Sequence, residues 1–363
     1  MIVVVDALDE CEDQSLIGDI IELFTEALVT FDLPLRLFFT SRPEPHIRAK
    51  VMANEAAAMT RSFALHEFDA RNDIRMFLYK RLAGVYAERH QVMRSCPQPW
   101  PTKHDLEDLV HKSSGLFIFA STVIKYINDK RHNSNQRLKE TLGIGSSGPS
   151  AYAGLDLLYL QILSSISDIP SLQVVLRTVI CLFDPLSVEQ LQALLNAKGV
   201  DVSLLLENLN SILLVPGDKD KPVQVFHQSL RDFLMDPRRS NAFSVNIFAG
   251  HTGIARGCID YMMTELCTNG NIIEDFMPAI GSALQYAAHY WAGHLARLDM
   301  HIDRDLLESL RRFAAGSSLT WLETLRRCNW LDQGLRSLRQ ANHWLQFVYL
   351  FKPDTLVNDG VRA

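Results

Sequence analysis

The chain has 363 residues, 47% of them hydrophobic, and 36 Lys and Arg stand against 42 Asp and Glu for a net charge of −6. This length and composition predict roughly two or three packed domains, and the acidic balance excludes a general electrostatic attraction to nucleic acid or anionic membranes. The longest apolar stretch, residues 115–124, is too short to span a bilayer, so we expect a cytosolic protein.

The first residues predict a buried strand that ends in acidic side chains. Residues 2–5 are Ile-Val-Val-Val, and four consecutive apolar residues fit a strand covered on both faces of a parallel sheet. Asp6, Asp9 and Glu10 follow at the carboxyl end of this strand, where ligands bind in open α/β sheets. Clustered carboxylates repel one another unless a cation offsets their charge, so we predict a Mg²⁺-nucleotide site. The alternative is that these acids cap the following helix.

A helix and further strands follow the opening strand. Residues 15–31 have helical spacing with Ser15 as the cap, residues 35–40 predict a second strand, and residues 62–68 predict a weaker third. Right-handed crossovers would keep these strands parallel, as in half of a doubly wound sheet. Arg42 follows the second strand, where its guanidinium is placed to bind a γ-phosphate or to pair with the neighbouring carboxylates.

From Asp69 onward the pattern is helical. Residues 172–209 predict three helices, and two short strands around a polar turn follow at residues 212–226, an order that is typical of a winged helix. Residues 151–240 contain seven Lys and Arg against ten Asp and Glu, and the helix at 201–210 that would enter a DNA groove has no basic residue. Phosphate neutralisation supplies most non-specific DNA affinity, so this charge disfavours a DNA-binding module.

Two segments carry motifs of a known family: Val3-Val-Val-Asp-Ala-Leu-Asp-Glu-Cys11 and Phe38-Phe-Thr-Ser-Arg-Pro43. They resemble the Walker B and sensor 1 segments of NACHT-type signal-transduction ATPases, the fungal relatives of NOD-like receptors. Residues 113–122 resemble the helical-domain motif, although Phe117 replaces a proline that contacts nucleotide in relatives. Phe226-His-Gln-Ser-Leu-Arg-Asp-Phe-Leu234 is similar to the winged-helix-domain motif of the family. The resemblance covers nearly the whole chain.

The resemblance implies a fold class of α/β plus all-α: a partial P-loop NTPase parallel sheet, a helical domain, a winged helix and a second helical domain. The implied boundaries are an α/β domain at 1–68, a small helical domain at 69–142, a linker at 143–154, a winged helix at 155–240 and a helical domain at 241–363. In such switches ADP holds the closed state, and exchange for ATP opens the molecule and drives oligomerisation.

The resemblance also implies roles for five residues. Asp6 would hold Mg²⁺, Asp9 and Glu10 would polarise the attacking water, Arg42 would sense the γ-phosphate of ATP, and His227 would bind the β-phosphate of ADP. From its own residues alone, His227 is better explained as a helix-capping or core histidine. The implied cofactors are ATP or ADP with Mg²⁺, and the implied partners are proteins or further copies of the chain.

The chain departs from the family at the phosphate-binding loop. Such ATPases need Gly-x-x-x-x-Gly-Lys-[Ser/Thr], and only residues 143–150 come near it, with proline in place of the lysine. In the family this loop precedes Walker B. We therefore expect little or no nucleotide binding and hydrolysis, and interpret the chain as a remnant or truncated portion of a nucleotide-dependent signalling switch. The alternatives are an inactive helical protein-interaction scaffold and, least favoured, a winged-helix DNA-binding regulator.

Overall fold

The structure is a computed structural model, and it describes residues 1–11, 13–31, 35–42, 44–53, 60–144, 152–195, 201–218, 220–268, 282–298, 303–327 and 329–351. It divides into two compact units, Met1–Asp69 and Ala70–Ala363. The described residues are mostly helical, with a small parallel sheet in the first unit. None of the helices in these ranges is long and apolar enough to cross a membrane.

The first unit is a two-stranded parallel sheet with helices packed on it. Strand β1 (Ile2–Val5) pairs in parallel with β2 (Arg36–Phe39), and helix α1 (Gln14–Phe31) connects them. Helix α2 (Pro45–Val51) follows β2. The core consists of apolar side chains from both helices and the turn after β1, against which one face of the sheet packs. Its members are Leu8, Ile17, Ile21, Ile47 and Val51, with Val5 and Phe39 against them.

The prediction that the first strand is buried on both faces is wrong for this structure. Ile2 and Val4 are 68% and 65% exposed, and Phe38 of the neighbouring strand is 56% exposed. These side chains share the sheet face opposite to Val5 and Phe39, because side chains alternate along a strand. An all-apolar strand is apolar on both faces, but the helices of this unit pack against only one of them.

Two local predictions in this unit are also wrong. Residues 62–68 form no strand, since Leu65–Glu67 is a single 3₁₀ turn in which Leu65 is 82% exposed. Ser15 does not cap the first helix, which begins one residue earlier. The carboxylate of Asp13 accepts hydrogen bonds from the Ser15 and Leu16 amides at 3.0 and 3.1 Å. The hydrogen bond from the Ser15 hydroxyl to this carboxylate lowers the pKa of Asp13.

The second unit is a series of helices with one short antiparallel strand pair. The helices before the strand pair are α3 (Arg71–Arg89), α4 (Lys103–Ser113), α5 (Phe117–Asn128), α6 (Ser134–Gly143), α7 (Ala153–Ser164), α8 (Ile169–Cys181), α9 (Val188–Leu195) and α10 (Val202–Asn208). Strands β3 (Leu213–Leu214) and β4 (Gln224–Val225) follow. The later helices are α11 (Gln228–Met235), α12 (Pro237–Ser240), α13 (Ile247–Thr268), α14 (Ser282–Ala296), α15 (Arg304–Gly316), α16 (Ser318–Arg327) and α17 (Leu331–Phe351).

One apolar core runs through the second unit from Ile74 in α3 to Trp344 in α17. Polar side chains fix where its helices begin. Asp168 accepts a hydrogen bond from the Ser171 amide before α8, and Asp201 does so from the Leu204 amide before α10, both at 3.1 Å. Such caps satisfy backbone donors that a helix leaves open at its amino end. The predicted order of three helices and a strand pair is present.

The start of α7 packs so closely against α4 that only glycine fits there. A Cβ atom at Gly154 would lie 2.6 Å from the Lys112 carbonyl oxygen. We expect Gly154→Ala to lower the free energy of unfolding by about 1 to 3 kcal/mol, because backbone must shift to accept the methyl group. Chemical denaturation measures this change. Gly84→Ala is the matched control: no atom lies within 4 Å of its Cβ position, so it should stabilise α3 by about 0.5 to 1 kcal/mol. Equal effects of both substitutions would contradict the prediction.

Candidate functional site

The carboxyl ends of β1 and β2 lie side by side and form the candidate site of the first unit. The Thr40 amide donates to the Val5 carbonyl at 3.0 Å, and the Leu8 amide donates back to the Thr40 carbonyl at 2.9 Å. Between them Ala7 adopts the left-handed backbone conformation, with φ of 53°. This conformation is costly for a residue with a Cβ atom. The turn allows the Ala7 amide to donate to the Thr40 hydroxyl at 2.9 Å.

Asp6 is held at this edge by Thr40. The Thr40 hydroxyl donates a hydrogen bond to Oδ1 of Asp6, whose side chain is exposed. Within the part of the chain that the structure describes, Oδ2 of Asp6 accepts no hydrogen bond. Thr40 therefore orients one carboxylate oxygen and leaves the other facing outward, as a hard oxygen ligand for a cation would require.

Asp9 has a different environment from Asp6. Its side chain is only 9% exposed, its Oδ1 accepts a hydrogen bond from the Arg42 amide at 2.9 Å, and its Oδ2 lies 3.5 Å from Nε of Arg42. Asp9 thus joins the turn after β1 to the turn after β2. The Arg42 side chain is 40% exposed, and Glu10 is exposed in the 3₁₀ turn Leu8–Glu10.

The three predicted carboxylates do not converge on one point. The described residues contain no group of three or more His, Cys, Asp or Glu side chains arranged to hold a metal ion. Mg²⁺ usually retains several waters and takes one or two carboxylates together with substrate phosphates. The donor set at this edge, one outward carboxylate oxygen and one guanidinium, fits the metal and γ-phosphate end of a nucleotide. It offers no row of backbone amides for the other phosphates.

His227 lies in the second unit, at the amino end of α11. Its Nδ1 accepts a hydrogen bond from the Ser229 amide at 3.1 Å and lies 2.8 Å from the Ser229 hydroxyl, which contacts the Tyr159 hydroxyl at 3.0 Å. Because an amide can only donate, Nδ1 is the unprotonated nitrogen and Nε2 carries the ring proton. His227 therefore caps α11, which is what its own residue context predicts. The cap also directs an N–H donor away from the helix, since the two ring nitrogens point in different directions.

Sequence reasoning gave no role to Thr40, which the structure connects to both Asp6 and Ala7. A threonine at the end of the strand beside an acidic turn is the available signal, because its hydroxyl can donate and accept at once. Arg42 pairs with Asp9 as one of the two alternatives stated for it. The nucleotide, Mg²⁺ and water-polarising roles of Asp6, Asp9, Glu10, Arg42 and His227 stay predictions.

The contact between Asp9 and Arg42 should contribute to the stability of the first unit. We expect Asp9→Ala to lower its free energy of unfolding by about 1 to 3 kcal/mol, because the Arg42 amide and guanidinium both lose an acceptor that is mostly buried. Glu10→Ala, one residue away and exposed, should change it by less than about 0.5 kcal/mol. Hydrogen exchange of the β1 and β2 amides measures both effects locally. Equal protection in the two variants would be inconsistent with a bridging role for Asp9.

A comparison with known protein families finds a match over the same residues that form this candidate site. Residues 1–42 match the family described as Nephrocystin 3, N-terminal (NPHP3_N). The first 42 residues are similar to this family. They contain β1, α1, β2 and the whole acidic edge, and the match ends at Arg42. No curated protein and no solved structure matches the chain.

Proposed function

We propose that this chain is part of a cytosolic, nucleotide-dependent signalling switch of the NACHT type, a remnant or truncated portion that carries the metal end of the nucleotide site. One observation supports this most: the acidic edge of the parallel strand pair joins Asp6, Thr40, Asp9 and Arg42 within the segment that matches a family. The carboxyl edge of a parallel sheet is where such folds bind nucleotide.

The contacts at the edge suggest a division of roles. Asp6 supplies an outward oxygen to Mg²⁺, oriented by Thr40. Arg42 contacts the γ-phosphate, and Asp9 holds Arg42 in position through its amide and guanidinium. Glu10, which is exposed, is the acid that orients water. Since residues 1–363 contain no Gly-x-x-x-x-Gly-Lys-[Ser/Thr], the proposal assigns the phosphate-binding loop to a segment outside this sequence.

In the second unit the proposal treats residues 69–142 as a small helical domain, 155–240 as a winged helix and 241–363 as a further helical domain. The helices α8, α9 and α10 followed by β3 and β4 support the winged helix. His227 would donate its Nε2 proton to the β-phosphate of ADP, because its Nδ1 is engaged by the Ser229 amide. The segment at 201–210, which contains α10 and would enter a DNA groove, carries no basic residue, so DNA binding is disfavoured.

A second candidate is a passive protein-interaction scaffold. It is favoured by the same contacts at the edge, since Asp9 already has a protein partner in Arg42 and Asp6 has one in Thr40. In that case the acids stabilise two turns and bind no metal. The two candidates differ in whether nucleotide binds at all.

The first test is the reading frame upstream of the Met1 codon, determined from the transcript. An in-frame Gly-x-x-x-x-Gly-Lys-[Ser/Thr] supports the switch. A stop codon preceded by a functional promoter contradicts the truncated form of the proposal.

The second test is titration with fluorescent ADP and ATP in the presence of Mg²⁺. For the 363-residue chain alone we expect no saturable binding, and micromolar affinity would show that the assignment of the phosphate loop is wrong.

For the chain carrying the upstream loop we expect saturable binding. Asp6→Asn should remove its Mg²⁺ dependence, Arg42→Ala should weaken ATP more than ADP, and His227→Ala should weaken ADP. The control Glu22→Gln, an exposed acid of α1 paired with Lys50, should leave binding unchanged. No saturable binding by the chain that carries the upstream loop would support the scaffold, and binding that none of the three variants alters would contradict the roles assigned to these residues.

A further inference from the structure

Helix α17 presents a row of leucines that stay partly exposed in the described structure. Leu331, Leu335, Leu338 and Leu345 are 42%, 51%, 39% and 37% exposed. Asn342, also exposed, occupies the place between Leu338 and Leu345. The five residues are spaced by four, three, four and three positions, which is the heptad repeat of coiled coils. We call these five residues the α17 seam.

The seam is separate from the face by which α17 packs on its own unit. That face consists of Gly334, Ser337, Ala341 and Trp344, which are all buried. Gly334 lies against α16, where its Cβ position is 2.4 Å from a Leu325 methyl group. Because the packing face is complete without the seam, the leucines are left as a second apolar surface. Isolated exposed leucines are common in proteins, but a regular row along one helix is not.

We propose that the α17 seam pairs with the same seam of a second copy of this chain, as a parallel, in-register coiled coil. In that arrangement each leucine meets its own counterpart, and Asn342 meets Asn342 of the other copy. Two asparagine amides can hydrogen-bond to each other across such a pair, whereas an amide facing leucine would lose its partners. A single polar position within an apolar seam therefore matches an identical seam in register.

The position of the packing face also selects the parallel arrangement. Gly334 and Ala341 flank the seam on one side, and Asp332 and Arg339 flank it on the other, where they are exposed. In a parallel pair the two-fold axis runs along the helices, so the two protein bodies lie on opposite sides of the seam. In an antiparallel pair that axis is perpendicular to the plane of the helices, and both bodies would crowd the same side. The second arrangement is sterically disfavoured.

Part of the entropic cost of forming this dimer is already met when the monomer folds, because α17 is helical before it pairs. A free helix of three heptads is marginal in water because nucleation and ordering are unfavourable. Here α17 is already helical over 21 residues through its contacts with α14 and α16. Pairing then needs only to desolvate the leucines and order their side chains. The interface is small, so we expect a reversible dimer whose population rises with protein concentration.

Sedimentation velocity of the 363-residue protein over a concentration series tests the proposal. We expect a monomer–dimer equilibrium whose dissociation constant rises at least tenfold in the variant Leu335→Glu with Leu338→Glu. Gln340→Glu adds one negative charge to an exposed position of α17 outside the seam, so it should leave the equilibrium unchanged. Far-UV circular dichroism confirms that each variant is folded. A monomer at every soluble concentration, or a dimer that survives both glutamates, would overturn the proposal.

Cysteine cross-linking tests the direction of the pair. In a Cys11→Ser background, Leu331→Cys and Leu345→Cys are made as separate variants and oxidised. A parallel in-register pair brings the two copies of each cysteine within disulfide range, so both variants should form covalent dimers. An antiparallel pair can do this at no more than one of the two positions, so a dimer from only one variant would contradict the arrangement. Asn342→Leu should tighten association and loosen its two-stranded specificity, as removal of a seam asparagine does in coiled coils.

Discussion

The free energy of unfolding of the second unit should fall by about 3 kcal/mol between about pH 6.5 and 4.5, because of one buried histidine pair. His251 of α13 and His294 of α14 are 4% and 0% exposed, and their Nδ1 atoms lie 2.7 Å apart. Nε2 of His294 lies 2.8 Å from the Tyr286 hydroxyl, which accepts a hydrogen bond from the Phe183 amide at 3.1 Å. This series of hydrogen bonds joins α13 and α14 to the segment between α8 and α9.

These hydrogen bonds are made by neutral rings of His251 and His294. The Tyr286 hydroxyl accepts from the Phe183 amide and can donate its own proton to Nε2 of His294, in which case the Nδ1 proton of His294 is shared with Nδ1 of His251. A further proton between the two Nδ1 atoms would place two N–H groups face to face, and a proton on Nε2 of His294 would require the Tyr286 hydroxyl to stop donating to that nitrogen. Proton uptake therefore breaks the connection.

The direction of the pH effect follows from the pKa of His294. Burial, assisted by the neighbouring His251 and the charge of Arg297, lowers this pKa from 6.5 to about 2. The unfolded chain binds a proton on this residue below pH 6.5 and the folded protein does not, so acid favours unfolding. One proton per unfolding event corresponds to about 1.4 kcal/mol per pH unit, and the slope continues until the folded pKa is reached.

Urea denaturation followed at several pH values measures this slope. His294→Gln should lower the stability near neutral pH by about 1 to 3 kcal/mol, since the chain loses a partner, and should remove most of the slope. His104→Gln, at an exposed position of α4, should keep the wild-type slope. A slope that is the same in His294→Gln and in the wild type would show that other groups control the acid response.

The sequence predicted the regular elements well where local pattern decides them. Strands β1 and β2 and helix α1 agree with the predicted ranges to within one residue at each end, because their apolar spacing is a local signal. The strand predicted at 62–68 failed because a strand also needs a neighbour to bond with, and here the segment forms a 3₁₀ turn. Burial on both faces of β1 failed for a similar reason: composition does not say what covers a face.

The candidate site was predictable in position but not in detail. The order of strand, helix and strand places Asp6 and Arg42 at the same edge, which follows from parallel topology alone. The difference between an outward Asp6 and a mostly buried Asp9 depends on the left-handed turn at Ala7, which no residue type in that segment signals. The contact of His251 with His294, 43 positions apart, likewise appears only when α13 packs on α14.

A second large effect is expected at Asp129, where removal of one carboxylate should lower the free energy of unfolding by about 3 kcal/mol. Asp129 follows α5 and its side chain is 15% exposed. It accepts hydrogen bonds from the Arg131 amide at 3.0 Å and from the Arg131 guanidinium at 2.8 Å, and it lies 3.3 Å from Nη1 of the buried Arg137. Arg131 continues to Asn208 at the end of α10, so the carboxylate organises a contact between two distant helices.

The cost of Asp129→Ala comes mainly from the charges that it leaves behind. Among the described residues, Arg137 would keep the Tyr126 carbonyl, at 2.6 Å, the Tyr126 ring and the charge of Glu140 as partners in a buried setting. An uncompensated buried charge costs far more than a surface pair, so the control Asp218→Ala, which removes the exposed partner of Lys221, should cost less than about 0.5 kcal/mol. Thermal and urea denaturation measure both variants.

The pH dependence separates this site from the histidine pair. Burial alone would raise the pKa of Asp129, but hydrogen bonds from Arg131 and the charges of Arg131 and Arg137 outweigh it and hold the pKa well below its usual range. A carboxyl group whose folded pKa is depressed stabilises the fold above its unfolded pKa, which is near 3.8, and loses this contribution as pH falls further. Asp129→Ala should therefore leave the pH dependence of stability unchanged above about pH 4, whereas His294→Gln already removes the slope between about pH 6.5 and 4.5. If Asp129→Ala cost no more than Asp218→Ala at neutral pH, the arginine contacts would be surface pairs in effect, and the proposed link between α5 and α10 would be absent.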